Sequence, residues 1–255
     1  LTKIRVSRAF SKKEVRDRVL PTYLGLVKQL DDHLGSLFQF MREQGSFDQT
    51  LIVFTSDHGD YLGDHWLGEK SWFHEPSVKI PLIVRDPSQS ANFSRGSRSK
   101  ELVESIDLIP TFIEALGGTF PDHILEGKSL KPLLNCKSTE CFREYATSEY
   151  DYSIAPISSL ISADPKKARV YMVTTQRWKY IHTVGYRSVL FDLQEDPMEL
   201  NDLGEDVGYF KIQRELNDQL LEWSLRHSQR ITMSNSELLS RRGRSEGLGI
   251  RIGYW

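Results

Sequence analysis

Residues 51–87 read LIVFTSDHGDYLGDHWLGEKSWFHEPSVKIPLIVRDP. Leu51-Ile52-Val53-Phe54-Thr55 is a short apolar run ending in a hydroxyl. Bounded by polar turn residues, such a run predicts a strand buried on both faces, as in a parallel sheet. Ile80-Pro81-Leu82-Ile83-Val84 predicts a second strand, with Pro81 suited to its first residues or to an edge. Between them lies a polar burst: Ser56, Asp57, His58, Gly59, Asp60, Asp64, His65, Glu69, Lys70, His74 and Glu75. In open α/β sheets, ligands bind beyond the carboxyl ends of strands, where Asp57 and His58 fall. A hard oxygen ligand beside a nitrogen ligand can share one divalent cation. Gly59 permits a sharp turn that aims both side chains at one point, whereas a flat strand would send them to opposite faces. The plainer alternatives are a capping or turn aspartate, a satisfied loop histidine and, at Lys70, a surface lysine.

Working outward, Ser11-Lys12-Lys13-Glu14 has the form of a capping box and predicts a helix start. Pro21 predicts a kink or a restart. Leu24, Val27, Leu30, Leu34, Leu37, Phe38 and Met41 then recur at helical spacing, with Gly45 as the C-terminal stop. Helix followed by strand is half of an α/β repeat. Asp31-Asp32-His33 invites a metal reading, but consecutive helix positions fan out around the axis, so a solvated face is expected. Residues 86–100 read as a surface loop, with Arg95 and Arg98 as solvated arginines or contacts for an anionic substrate. A helix begins near Ser105 and stops at Gly117-Gly118. Gly127-Lys128-Ser129-Leu130 lacks the glycine spacing of a phosphate loop.

Beyond Phe142 the texture changes. Four β-prone runs, at 145–150, 169–175, 178–184 and 189–193, predict a small antiparallel sheet, with Gly185-Tyr186-Arg187-Ser188 as a hairpin connection. Asp192, Asp196 and Glu199 read as turn and capping residues. From 209 to 227, Phe210, Ile212, Leu216, Leu220 and Trp223 mark a helix that covers this sheet. A basic, Ser/Gly-rich tail follows, with Arg241, Arg242, Arg244 and a final Tyr254-Trp255 pair. The expected organisation is therefore an α/β core part (1–142), a small antiparallel sheet with its helix (143–228) and a tail (229–255).

A net charge of −2 signals neither nucleic-acid nor membrane affinity. No apolar run approaches the roughly 20 residues that span a bilayer. Cys136 and Cys141 are too few for a disulfide framework and read as two thiols, with a local pair as the alternative. The chain opens on Leu1, not Met, and runs straight into a basic helix-like segment, so a fragment of a longer protein is expected and the lack of a visible signal peptide is uninformative. The compartment is open, with the cytoplasm slightly favoured.

Thr55-Ser56-Asp57-His58-Gly59-Asp60, Leu62-Gly63-Asp64-His65, Lys70 and Ile80-Pro81-Leu82-Ile83 resemble the second metal-binding segment of the sulfatases, in the alkaline phosphatase superfamily. Tyr23-Leu24-Gly25-Leu26, Asp31-Asp32-His33-Leu34-Gly35 and the ending Gly249-Ile250-Arg251-Ile252-Gly253-Tyr254-Trp255 resemble its phosphonate monoester hydrolase branch. The resemblance implies the C-terminal part of an alkaline-phosphatase-like mixed sheet flanked by helices. It implies Asp57 and His58 as ligands of a divalent metal and Lys70 as a charge against the transferred group. Mn or Zn suits the imidazole somewhat better than Ca. It also implies two further carboxylate ligands and a formylglycine, made from a cysteine or serine in a Cys/Ser-x-Pro-x-Arg context. Neither Cys136 nor Cys141 has that context, so these parts are expected upstream. The substrate implied is a small anionic ester. The tail would reach into a neighbouring subunit of a homo-oligomer, with a solvated tail as the alternative.

Overall fold

The computed structural model describes residues 8–135 and 141–226, with 234, 236, 237 and 240 of the tail. Arg8–Ser11 (α1) leads into Lys13–Glu43 (α2), a helix of 31 residues. The Ser11 capping box does not form: Lys12 occupies the N-cap, in extended conformation and with no side-chain cap bond. Nor does Pro21 restart the helix, which carries it in its interior. The missing N–H of one proline is outweighed by the rest of a long periodic segment. α2 ends as expected. Gly45 takes φ +68, its N–H donates to Arg42 O, and Ser46 N–H donates back to Met41 O, closing a Schellman motif. The apolar stripe is present, but no residue of α2 is buried, and Leu24, Val27, Leu30 and Leu37 are exposed. Asp31, Asp32 and His33 are solvated, with Asp32 paired to Lys28.

Ile52–Thr55 (β1) follows, then Glu75–Val78 (α3) and Leu82–Arg85 (β2). β1 pairs antiparallel with β2, Val53 opposite Val84. This corrects the parallel, doubly buried reading of that run: no β1 residue is buried. Apolar content reports a tendency to be covered, but carries no information on the partner's direction. Leu108–Ala115 (α4) opens after a capping box between Glu104 and Asp107 and stops at Gly117, φ +78. Lys131–Leu134 (α5) is a single turn.

The small sheet forms as the β-prone runs predict. Ala146–Asp151 (β3), Arg169–Thr174 (β4), Trp178–Thr183 (β5) and Val189–Asp192 (β6) run in order β3-β4-β5-β6, every pair antiparallel. A short helix, Pro156–Leu160 (α6), interrupts the β3–β4 connection. Phe210–Arg226 (α7) covers one face through Leu216 and Leu220, packed on Val173, Tyr180 and Leu190. Phe210 lies outside this contact and is exposed. The alternate residues Val170, Met172, Ile181 and Phe191 face the other way and receive Phe73, from the stretch between β1 and β2. The small sheet is thus covered by a helix on one side and by the polar-rich segment on the other.

Asp192 and Asp196 serve turns as expected: Asp192 accepts from the Gln194 N–H and pairs with Arg177, and Asp196 accepts from the Asn201 N–H. Glu199 does so too. Beyond that turn role, its side chain is buried at φ +54 and pairs with Lys179. Cys141 is an exposed free thiol, while Cys136 lies outside the described residues. So do Arg241, Arg242, Arg244, Tyr254 and Trp255, on which the oligomer expectation rests. Among the described residues no helix is long and apolar enough to cross a membrane.

Candidate active site

The chain leaves β1 at Thr55 and turns at once. Ser56 Oγ donates to His58 O (2.7 Å), and His58 N–H donates to Asp57 Oδ1 (3.0 Å). The side chains of Asp57 and His58 therefore converge instead of alternating. Gly59 contributes differently from the sharp turn expected of it, because its φ is not in the left-handed region. Its N–H donates to Ser77 O at 2.8 Å, and a Cβ there would stand 2.0 Å from Pro76 O. Close backbone approach, not turn geometry, requires the glycine.

His58 Nδ1 lies 2.7 Å from Gly59 O. A carbonyl can only accept, so Nδ1 carries the proton and Nε2 presents a lone pair. Lys70 Nζ donates to that Nε2 at 2.7 Å, and Asp57 Oδ2 lies 3.4 Å from it. The structure therefore brings Asp57, His58 and Lys70 to one point. Asp57 is solvent-facing, with 84% of its side chain exposed, and His58 is 36% exposed. Desolvation pushes the Asp57 carboxyl upward. The backbone N–H groups of Asp57 and His58, then the His58 ring, outweigh it and hold its pKa below the ordinary value.

The loop between His58 and Lys70 is tightly constrained. Tyr61 is 1% exposed; its N–H donates to Glu69 O, and Gly63 N–H donates to Leu67 O. The Tyr61 hydroxyl and His74 Nδ1 share a hydrogen bond of 2.8 Å, and the His65 ring stacks on His74 at 4.0 Å. Burial, reinforced by His65 and Lys179, pushes His74 down to about 3, and burial raises Tyr61. Both rings are therefore neutral near pH 7. Leu62, His65, Trp66, Glu69 and Ser71 all have positive φ, an uncommon concentration for residues bearing a Cβ. From outside, the Arg16 guanidinium of α2 lies 4.8 Å over the Trp66 ring, and Phe10 of α1 packs where a Cβ on Gly68 would stand.

Asp57, His58 and Lys70 line a cleft of about 1760 Å³, together with Trp72, Arg95 and Arg98. Arg95 also reaches Asp86 O, at 3.5 Å. His65, His74 and Glu75 are packing and pairing groups, whereas Asp64 is exposed. Sequence reasoning missed Lys179, which holds Glu75 and Glu199. A signal was present: within Trp178–Thr183, period-2 alternation places Lys179 on the inward face beside Ile181.

Two lone-pair atoms 3.4 Å apart, one carboxylate oxygen and one imidazole nitrogen with its tautomer fixed by a carbonyl, fit part of a divalent-cation site. Among the described residues no three His, Cys, Asp or Glu side chains converge, so the fit is with two ligands, not a full set.

The sequence profile of the sulfatase family matches residues 4–118, and that described as N-sulphoglucosamine sulphohydrolase, C-terminal, matches residues 63–226. The multifunctional alkaline phosphatase superfamily protein PehA of Trinickia caryophylli is 36% identical over 214 residues, covering 82% of this chain and 41% of that protein. The N-acetylglucosamine-6-O-sulfatase of Bacteroides thetaiotaomicron is 33% identical over 78% of this chain and 34% of its own length. Among solved structures, the phosphonate monoester hydrolase of Agrobacterium radiobacter superposes with a TM-score of 0.78 at 30% identity, over 85% of this chain and 43% of that one. This chain thus spans less than half the length of these relatives.

Proposed function

Since this chain belongs to the sulfatase family of the alkaline phosphatase superfamily, we propose that it is the carboxyl-terminal portion of a metal-dependent hydrolase of small phosphonate, phosphate or sulfate esters. The observation that carries this reading is the convergence of Asp57, His58 and Lys70 in one cleft at the end of β1.

Asp57 and His58 would hold the cation. The chemistry supplied by a divalent ion at these two residues would be polarisation of the ester and a lowered pKa of the attacking group. Mn or Zn fits an imidazole-containing set better than Ca. The Gly59 carbonyl keeps His58 Nε2 available by holding the proton on Nδ1. Lys70 adds an ammonium whose donors can turn from Nε2 to the outer oxygens of the transferred group, where negative charge builds. Trp72 and the arginines of the cleft wall would meet the organic part and remaining charge of the substrate. The nucleophile and the other ligands would come from outside these residues, because neither cysteine stands in a Cys-x-Pro-x-Arg sequence.

The test is Asp57→Ala in the full-length protein. Hydrolysis of aryl phosphonate, phosphate and sulfate esters is expected to fall below detection, and bound metal with it. Unchanged hydrolysis in a folded Asp57→Ala protein would refute the reading.

A further inference from the structure

A fully buried lysine lies behind the cleft wall. Lys179 of β5 has no exposed side-chain surface, and it sits on the sheet face that receives Phe73. Its Nζ donates to Glu75 Oε1 at 2.8 Å and lies 2.7 Å from Glu199 Oε1, which is equally inaccessible. Glu199 Oε2 in turn accepts the Glu75 backbone N–H at 2.6 Å. Glu75 Oε2 pairs with Lys79 at 3.1 Å, so two ammonium groups face two carboxylates. Burial raises the Glu199 pKa, Lys179 working against it, whereas at Glu75 the Lys179 and Lys79 contacts overcome burial and lower it.

Burying an ion pair brings little net stability, because desolvation offsets most of the attraction. Its geometric consequence is larger. Glu75 begins α3, and the segment it anchors carries Ser77 O, the acceptor of Gly59 N–H, and Pro76 O, which admits no Cβ at Gly59. Asp57 and His58 immediately precede that glycine. His74, the residue before Glu75, holds Tyr61 and His65 of the loop leading to Lys70. Both ends of the candidate site therefore rest on a segment whose position is set by a lysine from the small sheet.

We propose that Lys179, with Glu75 and Glu199, is a positioning latch through which the small sheet sets the geometry of Asp57, His58 and Lys70. This rests on the reading of those three groups as the ester-cleaving machinery. Lys179 touches none of them and acts through backbone placement.

The experiment uses the full-length protein with Lys179→Met, Glu199→Gln and, as a control, Leu220→Ala. Leu220 packs on the opposite face of the sheet, under α7, and its loss lowers stability without touching the latch. All are studied well below their melting temperatures. The latch predicts that both charge variants lose about tenfold or more in Mn²⁺ affinity and in kcat, with KM little changed. It also predicts faster amide exchange in a peptide spanning residues 56–62, while residues 170–174 of β4 exchange as in wild type. Leu220→Ala should lower Tm but leave kcat per folded molecule and Mn²⁺ affinity unchanged. If folded charge variants keep wild-type kcat, Mn²⁺ affinity and exchange at 56–62, the latch is refuted. Should Lys179→Met fail to fold, Glu199→Gln decides alone, since it removes a charge but keeps an acceptor for Glu75 N–H. A wild-type protein without hydrolytic activity would sink the functional reading, while the exchange measurement still decides the latch.

Discussion

Consecutive side chains diverge along a strand, and Asp57 and His58 converge because β1 ends two residues before Asp57. The backbone that follows lies close against Pro76 and Ser77, which only a residue without a Cβ allows at position 59. Gly59→Ala forces a Cβ against Pro76 O at 2.0 Å, a backbone atom that cannot move aside alone. A loss of about 1–3 kcal/mol is expected from such overpacking, with weakened Mn²⁺ binding, measured by urea unfolding and metal titration. Lys70→Ala should lower kcat by about 10²-fold or more while metal content is retained, since an ammonium aimed at developing charge acts in the transition state. His74 makes a prediction in pH. Its folded pKa of about 3 lies below the unfolded value near 6.5. The neutral ring's contribution is thus complete above pH 6.5 and is lost as pH falls towards 3. At pH 5 the loss is about 2 kcal/mol. His74→Gln should flatten the stability profile between pH 6.5 and 5, a window above the ordinary carboxylate range. An equally steep profile in that variant would assign the slope to another group.

At the scale of elements, the small sheet is sandwiched. α7 buries Leu216 and Leu220 on one face, and the segment carrying the candidate site buries Phe73 on the other. Leu216→Ala and Leu220→Ala should each cost about 2–5 kcal/mol in equilibrium unfolding, as large-to-small changes in packed cores do. The ion pairs along α2, Lys13 with Asp17 and Lys28 with Asp32, are more than half exposed, and removing either should leave the urea midpoint unchanged within error. The hairpin linking β5 and β6 was legible in advance, because Gly185 lies between two alternating runs and takes φ +80. The short α6 was not, since five residues carry too little periodicity to register.

For the whole molecule, the described residues bring Asp57, His58 and Lys70 together at an open cleft. They also leave the apolar stripe of α2 uncovered. A hard cation held by two protein ligands stays mostly hydrated and weakly bound. Residues 1–255 alone are therefore expected to show no turnover of aryl phosphonate, phosphate or sulfate esters. Turnover above the uncatalysed rate by this piece would show that a nucleophile within it was overlooked.

The sequence by itself determined the features written in short-range patterns. These are the long periodic helix with its glycine stop, the four alternating runs of the small sheet with their covering helix, and the Asp57, His58 and Lys70 set between two apolar runs. Tertiary structure alone decided that β1 pairs antiparallel with β2, that Gly59 is needed for close approach to Pro76, and that His65 stacks on His74. It alone brought Glu75, Lys179 and Glu199 together. The physical reason is range. Periodicity and turn chemistry act between neighbours along the chain, whereas a buried charge meets its partner only after distant segments have packed.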